Sequence, residues 1–77
     1  MKFPDDFKKR SHSFGGYQWV YPKASATVIS VIGGGYGMGG DGVKTFEMWD
    51  KREDEPRPYQ TAEEINNHLK EHPIEDE

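Results

Sequence analysis

Seven of the nine glycines fall within ten residues, Gly33-Gly34-Gly35-Tyr36-Gly37-Met38-Gly39-Gly40-Asp41-Gly42. Glycine loses more conformational freedom on ordering than any other residue, so this stretch reads as a loop rather than as a helix or strand interior. The runs on either side then set the fold. Ala26-Thr27-Val28-Ile29-Ser30-Val31-Ile32 leads in, apolar on both faces as a central, covered strand should be. Val43-Lys44-Thr45-Phe46-Glu47-Met48-Trp49-Asp50 leads out, with Phe46 and Met48 on one side and Thr45, Glu47 and Trp49 on the other. Two strands joined this way form a hairpin with a long, bare-backbone tip, and something must order that tip when it functions.

A third strand precedes the hairpin. Tyr17-Gln18-Trp19-Val20-Tyr21 puts three rings on one side, and Pro22 ends the run or places it at a sheet edge. Residues 1–16 look irregular, with Phe3, Phe7 and Phe14 as their only anchors. Phe3 and Phe7 are spaced to share a face of a short turn after Pro4. Residues 51–60 form a charged link in which Pro56 and Pro58 oppose a regular ladder or helix. Thr61-Ala62-Glu63-Glu64 is a capping box that starts a helix, Ala62, Ile65 and Leu69 form its apolar stripe, and Pro73 stops it. The expected fold is therefore α+β: a three-stranded antiparallel β-meander (17–21, 26–32, 43–50) with one C-terminal helix (62–72) on one face. Residues 17–72 make a single small domain, preceded by the irregular segment 1–16 and followed by an acidic tail, 73–77.

Size and charge bound the function. A 77-residue chain buries only about 60% of the surface its unfolded form exposes. Its ten aromatic rings must supply much of the core, and oligomerisation into a homodimer is a common remedy for one so thin. The absence of cysteine fits a reducing cytoplasm. No membrane span or secretion signal is present, so a cytoplasmic protein is expected. The net charge of −4 is unevenly spread: residues 1–24 carry five Lys/Arg against two Asp/Glu, and residues 51–77 four against nine. An acidic surface suits a basic protein partner and opposes direct binding to nucleic-acid phosphates.

Several motifs fail their structural context. Gly35-Tyr36-Gly37-Met38-Gly39-Gly40 matches G-x-G-x-x-G, but a dinucleotide site needs a helix next and a strand follows. Val43 separates Gly42 from Lys44 and spoils a P-loop. The loop amides could still cradle a nucleotide or small anion. His68-Leu69-Lys70-Glu71-His72 matches H-x-x-E-H, yet Pro73 ends the helix and no third ligand follows. The histidines instead complement the helix dipole. Asp41, Glu47, Asp50 and His12 form no demanding pattern and read as solubility. Trp49, Tyr17, Trp19 and Tyr21 make either an exposed aromatic patch or the second half of the core.

The strand Ala26-Thr27-Val28-Ile29-Ser30-Val31-Ile32, the Gly-Gly-Gly-Tyr-Gly loop, Thr45-Phe46-Glu47-Met48-Trp49-Asp50 and the helix start Thr61-Ala62-Glu63-Glu64-Ile65-Asn66 lie within residues 26–70. They resemble a group of small phage and prophage proteins with a VSVI strand, a glycine-rich loop, an FEVAVLD-like strand and a TAEE-capped helix. Trp49 departs from that pattern, which has a small apolar residue there. The resemblance implies a phage context, in which small acidic proteins bind and inactivate host proteins such as defence or nucleic-acid-handling factors. No active residues carry over.

The expected function is non-enzymatic: binding and inhibition of a host protein in the host cytoplasm through the glycine loop and the acidic surface. The expected contacts are Gly35, Tyr36, Gly37, Met38, Asp41, Trp49, Glu53, Asp54 and Glu55. No catalytic residue, metal, cofactor, nucleic acid or membrane is expected. The alternative is a nucleotide or small-anion module on the loop amides.

Overall fold

The computed structural model describes residues 2–13, 15–22 and 27–74. Five strands precede one helix: β1 (Lys8–Ser11), β2 (Tyr17–Tyr21), β3 (Ile29–Gly33), β4 (Phe46–Asp50), β5 (Arg57–Gln60) and α1 (Ala62–Glu71). The strands form one antiparallel sheet in chain order, β1-β2-β3-β4-β5. The fold class is the expected α+β, with an antiparallel sheet and a C-terminal helix. The sheet, however, has five strands where three were expected.

Both extra strands lie at the edges. β1 comes from the segment expected to be irregular, and all four of its residues are exposed. It has no apolar alternation of its own and forms because β2 offers a free ladder (Lys8↔Val20, Lys9↔Trp19, Arg10↔Gln18, Ser11↔Tyr17). β5 comes from the proline-punctuated link. Pro58 is tolerated because β5 is an edge strand and its pairing shifts register, from Phe46↔Gln60 to Met48↔Arg57. Tyr59, inside that irregularity, has φ +58°.

The other bounds move slightly. β3 spans Ile29–Gly33 and β4 spans Phe46–Asp50 rather than 26–32 and 43–50, and α1 stops at Glu71 rather than 72. The early start expected for the lead-in strand, at Ala26, lies outside the described residues, as do Phe14 and most of the tail.

The register sorts the side chains onto two faces. Trp19, Val31 and Met48 are aligned across β2, β3 and β4 and point to the core. Phe3, Phe7, Ile29, Phe46, Ile65 and Leu69 complete the core, so the N-terminal segment contributes two of its rings. Phe3 meets Phe7, Trp19 and Phe46 edge-on, with ring centroids 5.2, 5.7 and 5.0 Å apart. The Asn66 side chain fixes this segment to the helix, accepting from Phe3 N–H (2.8 Å) and donating to its carbonyl (3.0 Å). Trp49 aligns with Ser30 and Val20 on the opposite face. Of the two readings of these rings, the single exposed patch does not form: Trp19 is buried in the core and Trp49 lies on the opposite face.

The helix begins as its sequence dictates. Thr61 Oγ1 accepts from Glu64 N–H (3.1 Å), and Glu64 Oε1 accepts from Thr61 N–H (2.8 Å). Ile65, His68 and Leu69 are its buried residues.

Candidate protein-binding site

The glycine loop between β3 and β4 is a packed object, because its own backbone closes it. Gly34 N–H donates to the Gly40 carbonyl (3.1 Å) and Gly42 N–H to the Thr45 carbonyl (2.8 Å). Glu47 Oε1 accepts from Gly39 N–H (3.0 Å), and the Gly39 carbonyl accepts from Tyr59 N–H (2.6 Å), tying the loop to β5. On its other flank the loop presses on the β1–β2 turn. Gly16 has φ +66°, and a Cβ there would stand 2.3 Å from the Gly33 carbonyl oxygen and 2.4 Å from Gly35 N. Two backbones meet there with no room for a side chain.

Asp41 closes the last turn of the loop. Its Oδ1 accepts from the N–H groups of Val43 (2.8 Å), Lys44 (2.8 Å) and Thr45 (3.1 Å). Those donors, Thr45 foremost and then Val43 and Lys44, lower the Asp41 carboxyl to a pKa of about 2. Three amides at the outgoing end of the loop are thus taken by the chain's own carboxylate. Asp41, expected to face a partner, is exposed and also orders the loop.

Tyr36 projects from this base and is 94% exposed. Met38 is half-buried and folds back on the loop, so that a Cβ at Gly35 would stand 2.6 Å from Met38 Cε. Gly35 is half-buried under that thioether and Gly37 is exposed. Tyr17 pairs with Gly33 at the same end of the sheet, Val43 follows the loop, and Tyr59 is bonded to Gly39. All three are exposed. Trp49, Glu53, Asp54 and Glu55 lie at the other end of β4, about 15 Å away for a five-residue strand. Glu53 is engaged there with Arg57 Nη2 (2.8 Å), and Lys51 Nζ sits 5.9 Å from the Trp49 ring centroid. The expected contact residues therefore fall into two groups at opposite ends of the sheet.

Two further constellations were not expected. Asp50 and His68 are both buried, and Asp50 Oδ2 lies 2.9 Å from His68 Nε2. Arg52 joins them through Nη2 to Asp50 Oδ2 (2.8 Å) and Nε to Oδ1 (2.9 Å). It also donates to the carbonyls of His72 (Nη2, 2.8 Å) and Pro73 (Nη1, 3.1 Å), so it caps the end of α1. Burial pushes the Asp50 carboxyl up, but the bonds from Arg52 and His68 together hold it well below the usual carboxylate range. The arrangement clamps β4 to the helix end and presents no nucleophile. The His68 and His72 rings lie 4.6 Å apart, and among the described residues no group of three or more His, Asp or Glu could hold a metal. One sequence signal pointed here: Asp50 keeps the inward phase of Phe46 and Met48, so it needs a buried partner.

The second is a cleft of about 440 Å³ on the core side, beside β1. Phe3, Phe7, Trp19 and Phe46 form its floor, and the exposed residues Pro4, Asp5, Lys9 and Val43 its rim. Among the described residues no helix is long and apolar enough to cross a membrane. No protein-family model, curated protein or solved structure matches the chain.

Proposed function

We propose that this chain is a non-catalytic protein-binding module whose contact surface is the glycine-loop end of the sheet, led by Tyr36. One observation carries the reading. Five large hydrophobic residues are exposed among those described, and four of them, Tyr17, Tyr36, Val43 and Tyr59, gather at that end. Exposed aromatic clusters mark interfaces, and a ring already held on a rigid base loses little entropy on binding. The resemblance of residues 26–70 to small phage proteins supports a host protein as partner and inhibition by occlusion as outcome. Trp49 and the acidic turn at Asp54 and Glu55 are a second contact only for a partner that reaches along β4. A nucleotide or small anion on the loop amides is the weaker reading, because Asp41 already takes the amides of Val43, Lys44 and Thr45 and places a carboxylate beside the loop.

The test is capture from host lysate with the wild type and with Tyr36→Ala, which removes no packing contact of the fold. Recovery of one protein that drops at least tenfold with the variant supports the reading. Equal recovery, or no specific protein, refutes it.

A further inference from the structure

We infer that the open edge of β1 and the adjoining aromatic-floored cleft form a docking site for an acidic, extended peptide segment that inserts one large apolar side chain. The inference rests on the protein-binding reading and gives the partner a chemistry.

Both edges of the sheet matter here. β5 is protected, since Pro58 has no N–H to offer and Tyr59 N–H is spent on Gly39. β1 has no proline, and among the described residues no strand lies on its outer side. Its side chains supply the charge: Lys8, Lys9 and Arg10 are consecutive and exposed. Among the described residues none of the three has a carboxylate partner. Arg10 Nε donates to the neutral Gln18 side chain (2.9 Å), and Lys9 Nζ rests 4.2 Å from the Tyr17 ring centroid and 5.5 Å from that of Trp19. Three cations on this edge, without a carboxylate partner among the described residues, favour an anionic strand by charge complementarity.

The cleft supplies the apolar half. Lys9 is part of its rim, so a strand laid along β1 carries its inward side chains over the floor of Phe3, Phe7, Trp19 and Phe46. Those rings meet one another edge to face and are at most 8% exposed. They offer a greasy floor rather than a free ring face on which a nucleobase could stack. A leucine or phenylalanine flanked by Asp and Glu fits both halves.

The experiment is an amide-resolved NMR titration of the full chain with acetylated nonapeptides of alternating Glu and Asp around a central Leu. The same peptide with central Ala, a Lys-flanked Leu peptide and a thymidine pentanucleotide complete the set. The expected result is perturbation of the β1 amides and of Phe3, Phe7, Val43 and Phe46. Affinity should fall about tenfold on changing Leu to Ala, as loss of about 1.4 kcal/mol of buried side chain requires. Lys9→Glu, at an exposed position, should weaken the Leu peptide by a similar factor, and the Lys-flanked peptide should not bind. Equal affinity for the Leu and Ala peptides, perturbations elsewhere, tighter binding of the oligonucleotide, or no binding of any acidic peptide overturns the inference. Tyr36→Ala should leave the peptide titration unchanged while reducing lysate capture. Failure of the peptides with capture intact therefore removes the cleft proposal alone.

Discussion

Asp50→Ala should cost the fold about 3 kcal/mol, and the structure says where that comes from. The carboxylate is 2% exposed and accepts four bonds: from Arg52 N–H (3.0 Å), Arg52 Nε (2.9 Å), Arg52 Nη2 (2.8 Å) and His68 Nε2 (2.9 Å). His68 is 4% exposed, so truncating Asp50 strands a buried ring nitrogen at a cost of about 2 kcal/mol. Arg52 is 40% exposed and recovers much of its hydration, so its share is discounted to about 1 kcal/mol. A chain of this length has about 4–12 kcal/mol in all, and a 3 kcal/mol loss lowers Tm by roughly 12–24 °C. Urea unfolding followed by tryptophan fluorescence reads it, since Trp19 is buried and Trp49 half-exposed. The exposed pair Glu53–Arg57 is the control, and Glu53→Ala should cost less than about 1 kcal/mol. The pH dependence has a definite sign. The folded carboxyl is depressed, so its contribution is complete above the unfolded pKa of about 3.9 and is lost as pH falls further. The gap between wild type and Asp50→Asn should therefore narrow from about pH 4 downward. A loss under about 1 kcal/mol for Asp50→Ala, or a gap that widens in acid, would refute the reasoning.

Other perturbations separate the remaining claims. Gly16→Ala meets the loop backbone at 2.3 Å in a left-handed conformation and should cost about 3 kcal/mol or prevent folding, whereas Gly37→Ala, with φ +76° and open space, should cost only about 1 kcal/mol in the same urea assay. Phe3→Ala should cost about 3–5 kcal/mol, because Phe3 is 1% exposed and central to the ring cluster; a loss under about 1 kcal/mol would mean the N-terminal segment is not part of the core. A carbon-detected titration should find the Asp41 carboxyl protonating near pH 2, with amide exchange at Val43, Lys44 and Thr45 accelerating as it does; an ordinary carboxylate midpoint would show that the turn is open in solution.

The central strands and the helix were legible because their chemistry is local. Aromatic alternation wrote β2, β-branched residues wrote β3, and Thr61 with Glu64 wrote the start of α1. β1 was illegible because Lys8, Lys9, Arg10 and Ser11 have no buried face, so only the ladder of β2 makes them a strand. β5 was hidden by Pro58, which an edge irregularity accommodates. The ionic clamp joins residues 18 apart in sequence, Asp50 and His68, and only their phase gave it away, with 46, 48 and 50 on one strand face and 65, 68 and 69 on one helix face. At the glycine loop Tyr36 is outside as expected, but the pattern did not reveal that the exposed Asp41 would also bond three backbone N–H groups of its own turn.

A sheet whose strands neighbour one another in the order they are made has a kinetic signature. Each strand pairs with its neighbour in the chain, and the longest link is the glycine loop, so assembly can proceed by successive local additions and should be fast for a β-rich chain. The bonds between Phe3 and Asn66 span 63 residues and are the exception. They join the two termini of the folding unit, and destabilising that bridge should accelerate unfolding far more than it slows refolding.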